Sequence, residues 1–189
     1  MIERDDMTFP HAEYVRRIEE LRQRIQERHL DAVVISDPEN IMYLTDYQTT
    51  GYSFFQALVV PLEKEPFMIT RALEESNVIH RTWVDLTRPY PDTGDAMQML
   101  VDALREFGLA DKRIGYERNS YFFPAYHQDV IHTSLKDGKL LESLGDILLM
   151  MLDSDEPYGG GDDFEYAINE MKRYGISASD LYKYLEISP

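Results

Sequence analysis

Cysteine is absent from the 189-residue sequence, which excludes disulfides and thiolate-held metals. Lysine is scarce: six of the nineteen basic residues are Lys and thirteen are Arg, against 35 acidic residues, for a formal charge of −16. A surface of that sign repels nucleic acid and anionic membrane, so neither is an expected partner. Abundant acid with little Lys fits a salt-tolerant source, and it fits an ordinary acidic surface as well. Long apolar runs are also missing. No stretch approaches the ~20 residues that span a bilayer. The opening residues, MIERDDMTFP, are charged and carry no apolar core of a secretory signal. The expected compartment is the cytoplasm.

What the chain does have is enough apolar material for a core, 43% hydrophobic residues with 12% aromatic. Residues 10–29 read as a helix, with Tyr14, Ile18, Leu21 and Ile25 on one side and Arg and Glu filling the other. The strand AVVIS follows. Asp37 then stands as a helix N-cap, with Pro38 at the first helical position of DPENIMYL. Residues 54–62 and 66–70 read as two strands of a hairpin joined by EKE. Residues 71–82 are expected to be a helix with Leu73, Val78 and Ile79 inward, and residues 85–90 a short strand. DTGDAMQMLVDALREFGL is a helix burying Met97, Leu100, Val101 and Leu104, with Gly108 at its C-terminal cap. RIGYE (113–117), a helix opening near Pro124 and KLLES (139–143) complete an alternation of strands and helices. That order predicts an α/β, three-layer domain whose mixed β-sheet is flanked by helices.

Beyond Gly145 the character changes. Residues 146–189 hold ten acidic against three basic residues, −7 in 44 residues, whereas the first 145 carry 25 against 16, or −9. The expected division is a domain over 1–147 and, over 148–189, an acidic linker with a short helical appendage. DSDEPYGGGDD gathers four Asp and one Glu, but counted from Asp153 the EF-hand positions 6 and 12 are Tyr158 and Phe164. YGGGDD lacks the Lys and Ser/Thr of a phosphate loop. Ser53, Ser120 and Ser134 have no nucleophile-elbow context. His127 and His132, five apart in one predicted helix, fall on different faces, which disfavours chelation. No catalytic constellation and no metal or cofactor site emerges from these residues.

Two aromatic segments stand apart from the core pattern. One connects the first two strands and carries Tyr43, Tyr47, Tyr52, Phe54 and Phe55 around Gly51; the other, YERNSYFFPAYH, carries Arg118 and Tyr121. Rigid aromatic surface is common where domains meet, and it also fills cores. Arg118 is the right side chain to hold a carboxylate through two hydrogen bonds, and it fits an ordinary exposed or ion-paired arginine as well.

In sequence, residues 8–147 resemble the N-terminal domain of the creatinase/prolidase/aminopeptidase P family, the pita-bread metallohydrolases. EYVRRIEELRQRIQERHL runs into DAVVISDPENIMYLTDY, followed by ALVVPLEKEPFMIT, RALEES, RIGYERNSYFFPAYHQDV and KLLESLGDI. The element Asn40, Ile41, Tyr43, Leu44, Thr45, Tyr47 carries the resemblance, and the family pattern has Gly where Asp46 stands. Within the family, creatinase-like and ectoine-hydrolase-like members look most similar. The resemblance implies a dinuclear-metal hydrolase acting on C–N bonds of X-Pro peptides, creatine or ectoine-like substrates. It also implies that the two divalent ions (Mn, Co or Zn) sit in a second domain, on two Asp, one His and two Glu. No residue after 147 is His, so that ligand set has no positions here, and this stretch is expected to be a non-catalytic oligomerisation and substrate-lid domain. The alternative is a standalone interaction or small-molecule-binding module with a docking tail. The resemblance further implies a homodimer, or pairing with a catalytic domain or separate subunit. The candidate contact residues are Tyr43, Tyr47, Tyr52, Phe54, Phe55, Arg118 and Tyr121.

Overall fold

The computed structural model describes residues 6–135 and 139–141, all within one unit, residues 1–151. The linker and helical tail expected at 148–189 lie outside the described residues.

Among the described residues six strands form one mixed sheet in the order β4-β3-β2-β1-β5-β6. They are β1 Ala32–Ile35, β2 Ala57–Pro61, β3 Phe67–Arg71, β4 Thr87–Tyr90, β5 Arg113–Tyr116 and β6 Lys139–Leu141. Strand β2 runs antiparallel to β1 and to β3; the pairs β3–β4, β1–β5 and β5–β6 are parallel. Both faces are covered, as the near-continuous apolar strands require. Successive residues of β1 go to opposite layers: Val33 and Ile35 join Leu58, Val60 and Met68 on one face, Ala32 and Val34 join Val59, Phe67 and Ile69 on the other. The first face is packed by α1 (His11–Glu27), α2 (Pro38–Thr45) and α3 (Glu75–Arg81), the second by α4 (Ala96–Glu106) and α5 (Ala125–Ser134). The domain is the three-layer α/β structure that the sequence pattern predicts.

Helix α1 buries Tyr14, Ile18, Leu21 and Ile25 as its spacing demands, each worth roughly 1.5–3 kcal/mol of apolar transfer. It also buries Arg17, assigned to the polar side by pattern alone. The reason is local: its guanidinium lies over the rings of Phe9, Tyr14 and Tyr43, at 4.5, 5.3 and 4.0 Å. Both long helices end in Schellman motifs. Leu30 N donates to Ile25 O and His29 N to Gln26 O, while Leu109 N donates to Leu104 O and Gly108 N to Arg105 O. Gly108 and His29 are left-handed, at φ 70° and 56°.

Two expectations fail. Residues 71–82 are not one helix: β3 extends through Arg71, a 3₁₀ turn covers Ala72–Glu74, and α3 begins at Glu75. Leu73 and Ile79 are 70% and 40% exposed, and only Val78 is buried. Pairing β3 to β4 carries the chain past the point where a helix could start. Strand β2 likewise begins three residues late, because Phe54 N donates to Gly51 O in a turn before the ladder opens.

Candidate functional site

The strand directions bring five segments to one edge of the sheet. At this edge end β1, β3, β4 and β5, and here antiparallel β2 begins. In open α/β sheets the carboxyl ends of strands are where ligands and partners meet the fold. Both aromatic segments lie on this edge and touch each other. Tyr52 meets Phe122 edge-on at 6.4 Å, and Phe55 packs on Phe123 at 6.0 Å and on His127 at 5.1 Å.

The seven candidate residues divide by burial. Tyr47 and Phe55 are core residues, and Tyr43 is half-buried beneath Arg17, whose Nη1 donates to the Tyr43 carbonyl at 2.7 Å. Burial pushes the Tyr47 phenol up to about 12 and raises Tyr43 as well, so both stay neutral donors. The Tyr47 hydroxyl donates to Glu74 Oε2 at 3.3 Å, beside Thr49 Oγ1 at 2.6 Å. Tyr52, Phe54 and Tyr121 remain exposed, at 53%, 45% and 97%. Phe54 lies under the Arg71 guanidinium, 4.1 Å from the ring centroid, and Arg71 grips Asp92 through two hydrogen bonds of 2.5 and 2.7 Å. Arg118 is exposed, and its carbonyl accepts from Gln128 Nε2. The exposed set forms an aromatic rim in which Phe122 supports Tyr52 and Arg71 supports Phe54.

His127 and His132 serve separate contacts. His127 is wedged against Phe55 and Phe123, and burial lowers its pKa. His132 Nε2 lies 3.0 Å from the Tyr116 hydroxyl. Among the described residues no group of three or more His, Cys, Asp or Glu is arranged to hold a metal. No helix among them is long and apolar enough to cross a membrane.

Sequence reasoning missed the most buried acid on the edge, Glu117, 4% exposed. Its Oε2 accepts from Ser36 N at 2.5 Å, Asp37 N at 2.8 Å and Ser36 Oγ at 3.1 Å; its Oε1 accepts from Asn40 Nδ2 at 2.6 Å. Asp37 does occupy the N-cap position of α2 but caps nothing with its own side chain; instead its Oδ1 accepts from Ser120 Oγ at 2.7 Å. Glu117, just past the end of β5, instead accepts the Ser36 and Asp37 amides that lead into α2. The only sequence signal was an acid ending a covered strand. Asp46 resolves a second question. It holds φ 64° at the end of α2, the left-handed conformation that Gly adopts without strain, and its Oδ2 accepts from Thr8 N at 2.8 Å.

Comparison with known proteins agrees with this architecture. A profile described as the Creatinase/Prolidase N-terminal domain matches residues 17–144. Among curated sequences the chain is 30% identical over 130 residues to the ectoine hydrolase of Halomonas elongata, covering 63% of this chain and 32% of that protein. The chain spans about a third of the length of the curated relatives it matches. Among solved structures, the dipeptidase PepE from Mycobacterium ulcerans superposes with a TM-score of 0.64 at 22% identity, covering 82% of this chain and 40% of that one. The N-terminal domain of Xaa-Pro dipeptidase from Lactobacillus brevis gives 0.59 at 20% identity, over 71% and 97%. Residues 17–144 make the chain a member of the Creatinase/Prolidase N-terminal domain family.

Proposed function

We propose that the domain is the non-catalytic N-terminal module of a creatinase/prolidase-type hydrolase, with its aromatic rim as the surface that meets a catalytic domain or a second copy of the chain. One observation carries this reading. The fold covers 97% of a chain that is the N-terminal domain of an Xaa-Pro dipeptidase but only 40% of a longer dipeptidase chain. In the larger relatives this unit accompanies a longer stretch of chain.

The chemistry implied by the family, cleavage of a C–N bond in X-Pro peptides, creatine or ectoine-like compounds by two divalent ions, belongs to that longer stretch. The residues described here do not fit such a metal pair: no acidic or histidine cluster converges, and the one buried edge acid, Glu117, is saturated by donors. No catalytic step is assigned to them. What the domain's own residues offer is rigid surface. Tyr52, Phe54 and Tyr121 can bury a large area at small cost in side-chain entropy. The pairing of Arg71 with Asp92 holds Phe54 in place without spending rim surface.

The test is turnover by the purified chain with Mn²⁺, Co²⁺ or Zn²⁺ on X-Pro dipeptides, creatine and ectoine. No metal-dependent turnover is expected. Turnover that chelator removes and metal restores would overturn the proposal.

A further inference from the structure

The Glu117 carboxylate is the one buried acid that ties the two halves of the edge together. On one side are the residues that lead from β1 into the first turn of α2: Ser36, Asp37 and Asn40. On the other is the segment 117–124, which carries Tyr121 and the two rings, Phe122 and Phe123, that brace Tyr52 and Phe55. A second bond, Ser120 Oγ to Asp37 Oδ1, closes the same junction.

The four contacts are not alike in chemistry. The amides of Ser36 and Asp37 can only donate, and both go to Oε2. The Ser36 hydroxyl can donate or accept. Asn40 is different: its amide presents an NH₂ to Oε1, and a half-turn about its last torsion presents a carbonyl oxygen instead. An ionised Glu117 uses the NH₂. A protonated Glu117 carries its hydrogen on Oε1 and needs that carbonyl.

We propose that Glu117 and Asn40 form a proton-reversible clasp that positions the aromatic rim. In the ionised form Asn40 donates to Glu117. On protonation the Asn40 amide turns over and accepts, while Oε2 keeps the two backbone amides, so the rim stays seated in both states. The proton enters from solvent and binds Oε1; no bond between heavy atoms changes.

The surroundings agree with a clasp that titrates. The charged group that acts on Glu117 across the junction is Asp37, at the start of α2. Burial is the largest influence on Glu117 and raises it above the ordinary carboxylate range; the Asp37 and Ser36 amides pull it down, the Asp37 charge pushes it up, and Asn40 pulls it down. A clasp able to hold the proton as well as the charge explains how so buried an acid is tolerated beside a second carboxylate. This inference rests on the rim geometry and not on the proposed partner, so turnover or association by the chain leaves it standing.

The experiment is nuclear magnetic resonance on the whole chain, wild type against Glu117→Gln and Glu117→Leu. Titrated from neutral pH into mild acid, the Glu117 carboxyl carbon and the Asn40 side-chain NH₂ signals should move together with one midpoint above 4.5, and the Asn40 movement should vanish in Glu117→Gln. Gln mimics the protonated form, its NH₂ facing the reversed Asn40. Its melting temperature should therefore lie within a few degrees of wild type, and the Tyr52–Phe122 ring contact should persist. Leu leaves the Ser36 and Asp37 amides buried without acceptors, and melting should fall by roughly 5–10 °C. Asn40 signals that do not follow the Glu117 midpoint would overturn the proposal. So would a Glu117→Gln variant as damaged as Glu117→Leu, because the charge itself would then hold the junction.

Discussion

Replacing Arg17 by Ala should cost far more than an arginine in the middle of an amphipathic surface helix ordinarily would. Three contributions are lost. The Nη1 bond to the Tyr43 carbonyl, 2.7 Å long and partly buried, is a charge-assisted bond worth ~1.5–3 kcal/mol. Contact with three aromatic rings at 4.0 to 5.3 Å contributes about 0.5–2 kcal/mol. The stem is buried with the rest of the side chain, and its loss opens a gap beside Tyr43 of α2. The Glu13 contact at 2.8 Å weighs less, because Arg16 remains to pair that carboxylate. The sum is about 3 kcal/mol. With a urea dependence of ~2 kcal/mol per molar, the unfolding midpoint should drop by about 1.5 M without a change in slope. Arg17→Met, which keeps the stem, should recover less than half. A loss below ~1 kcal/mol, or a Met variant equal to wild type, would refute the reasoning, because the buried charge would then contribute nothing net.

Two further outcomes follow from the same geometry. Asp46→Ala should destabilise by about 1–2 kcal/mol, losing the Thr8 bond while keeping an unfavourable φ of 64°; Asp46→Gly should recover roughly 1 kcal/mol of that in the same melt. Glu13 is held down to about 2, first by its hydrogen bond to Arg16. Its folded value lies below the ordinary 4.5, so its contribution is complete above 4.5 and is lost as pH falls toward 2. Glu13→Gln should accordingly flatten the acid limb of the stability profile between those values, and an unchanged limb would contradict the pairing.

Much of the fold was legible because it rests on local pattern. The 3.6-residue spacing of Tyr14, Ile18, Leu21 and Ile25 and of Met97, Leu100, Val101 and Leu104 selects the buried faces, and Gly108 marks the end of α4. The failures came where contacts far apart in sequence overrode that pattern. Leu73 and Ile79 read as inward, but pairing with β4 holds Arg71 in the sheet and shifts the helix register. Arg17 reads as a surface residue until Tyr43, 26 positions away, closes over it. Of the site, composition revealed that two segments are aromatic; only topology brings Tyr52 to Phe122. Glu117 was out of reach, since its donors stand 77 to 81 residues away and no spacing rule links them.

The claim that the rim joins two copies of the chain is tested most directly by sedimentation velocity at micromolar concentration, wild type against Tyr52→Asp. Tyr52 is half exposed and braced by Phe122, so the substitution leaves the core intact while placing a carboxylate where a contact must desolvate it. With a charge of −16, association should strengthen as salt rises toward physiological screening, where the Debye length is ~8 Å. The account predicts a dimer for wild type and a monomer for a folded Tyr52→Asp. A wild-type chain that stays monomeric at low and high salt, or a dimer indifferent to Tyr52→Asp, would contradict it.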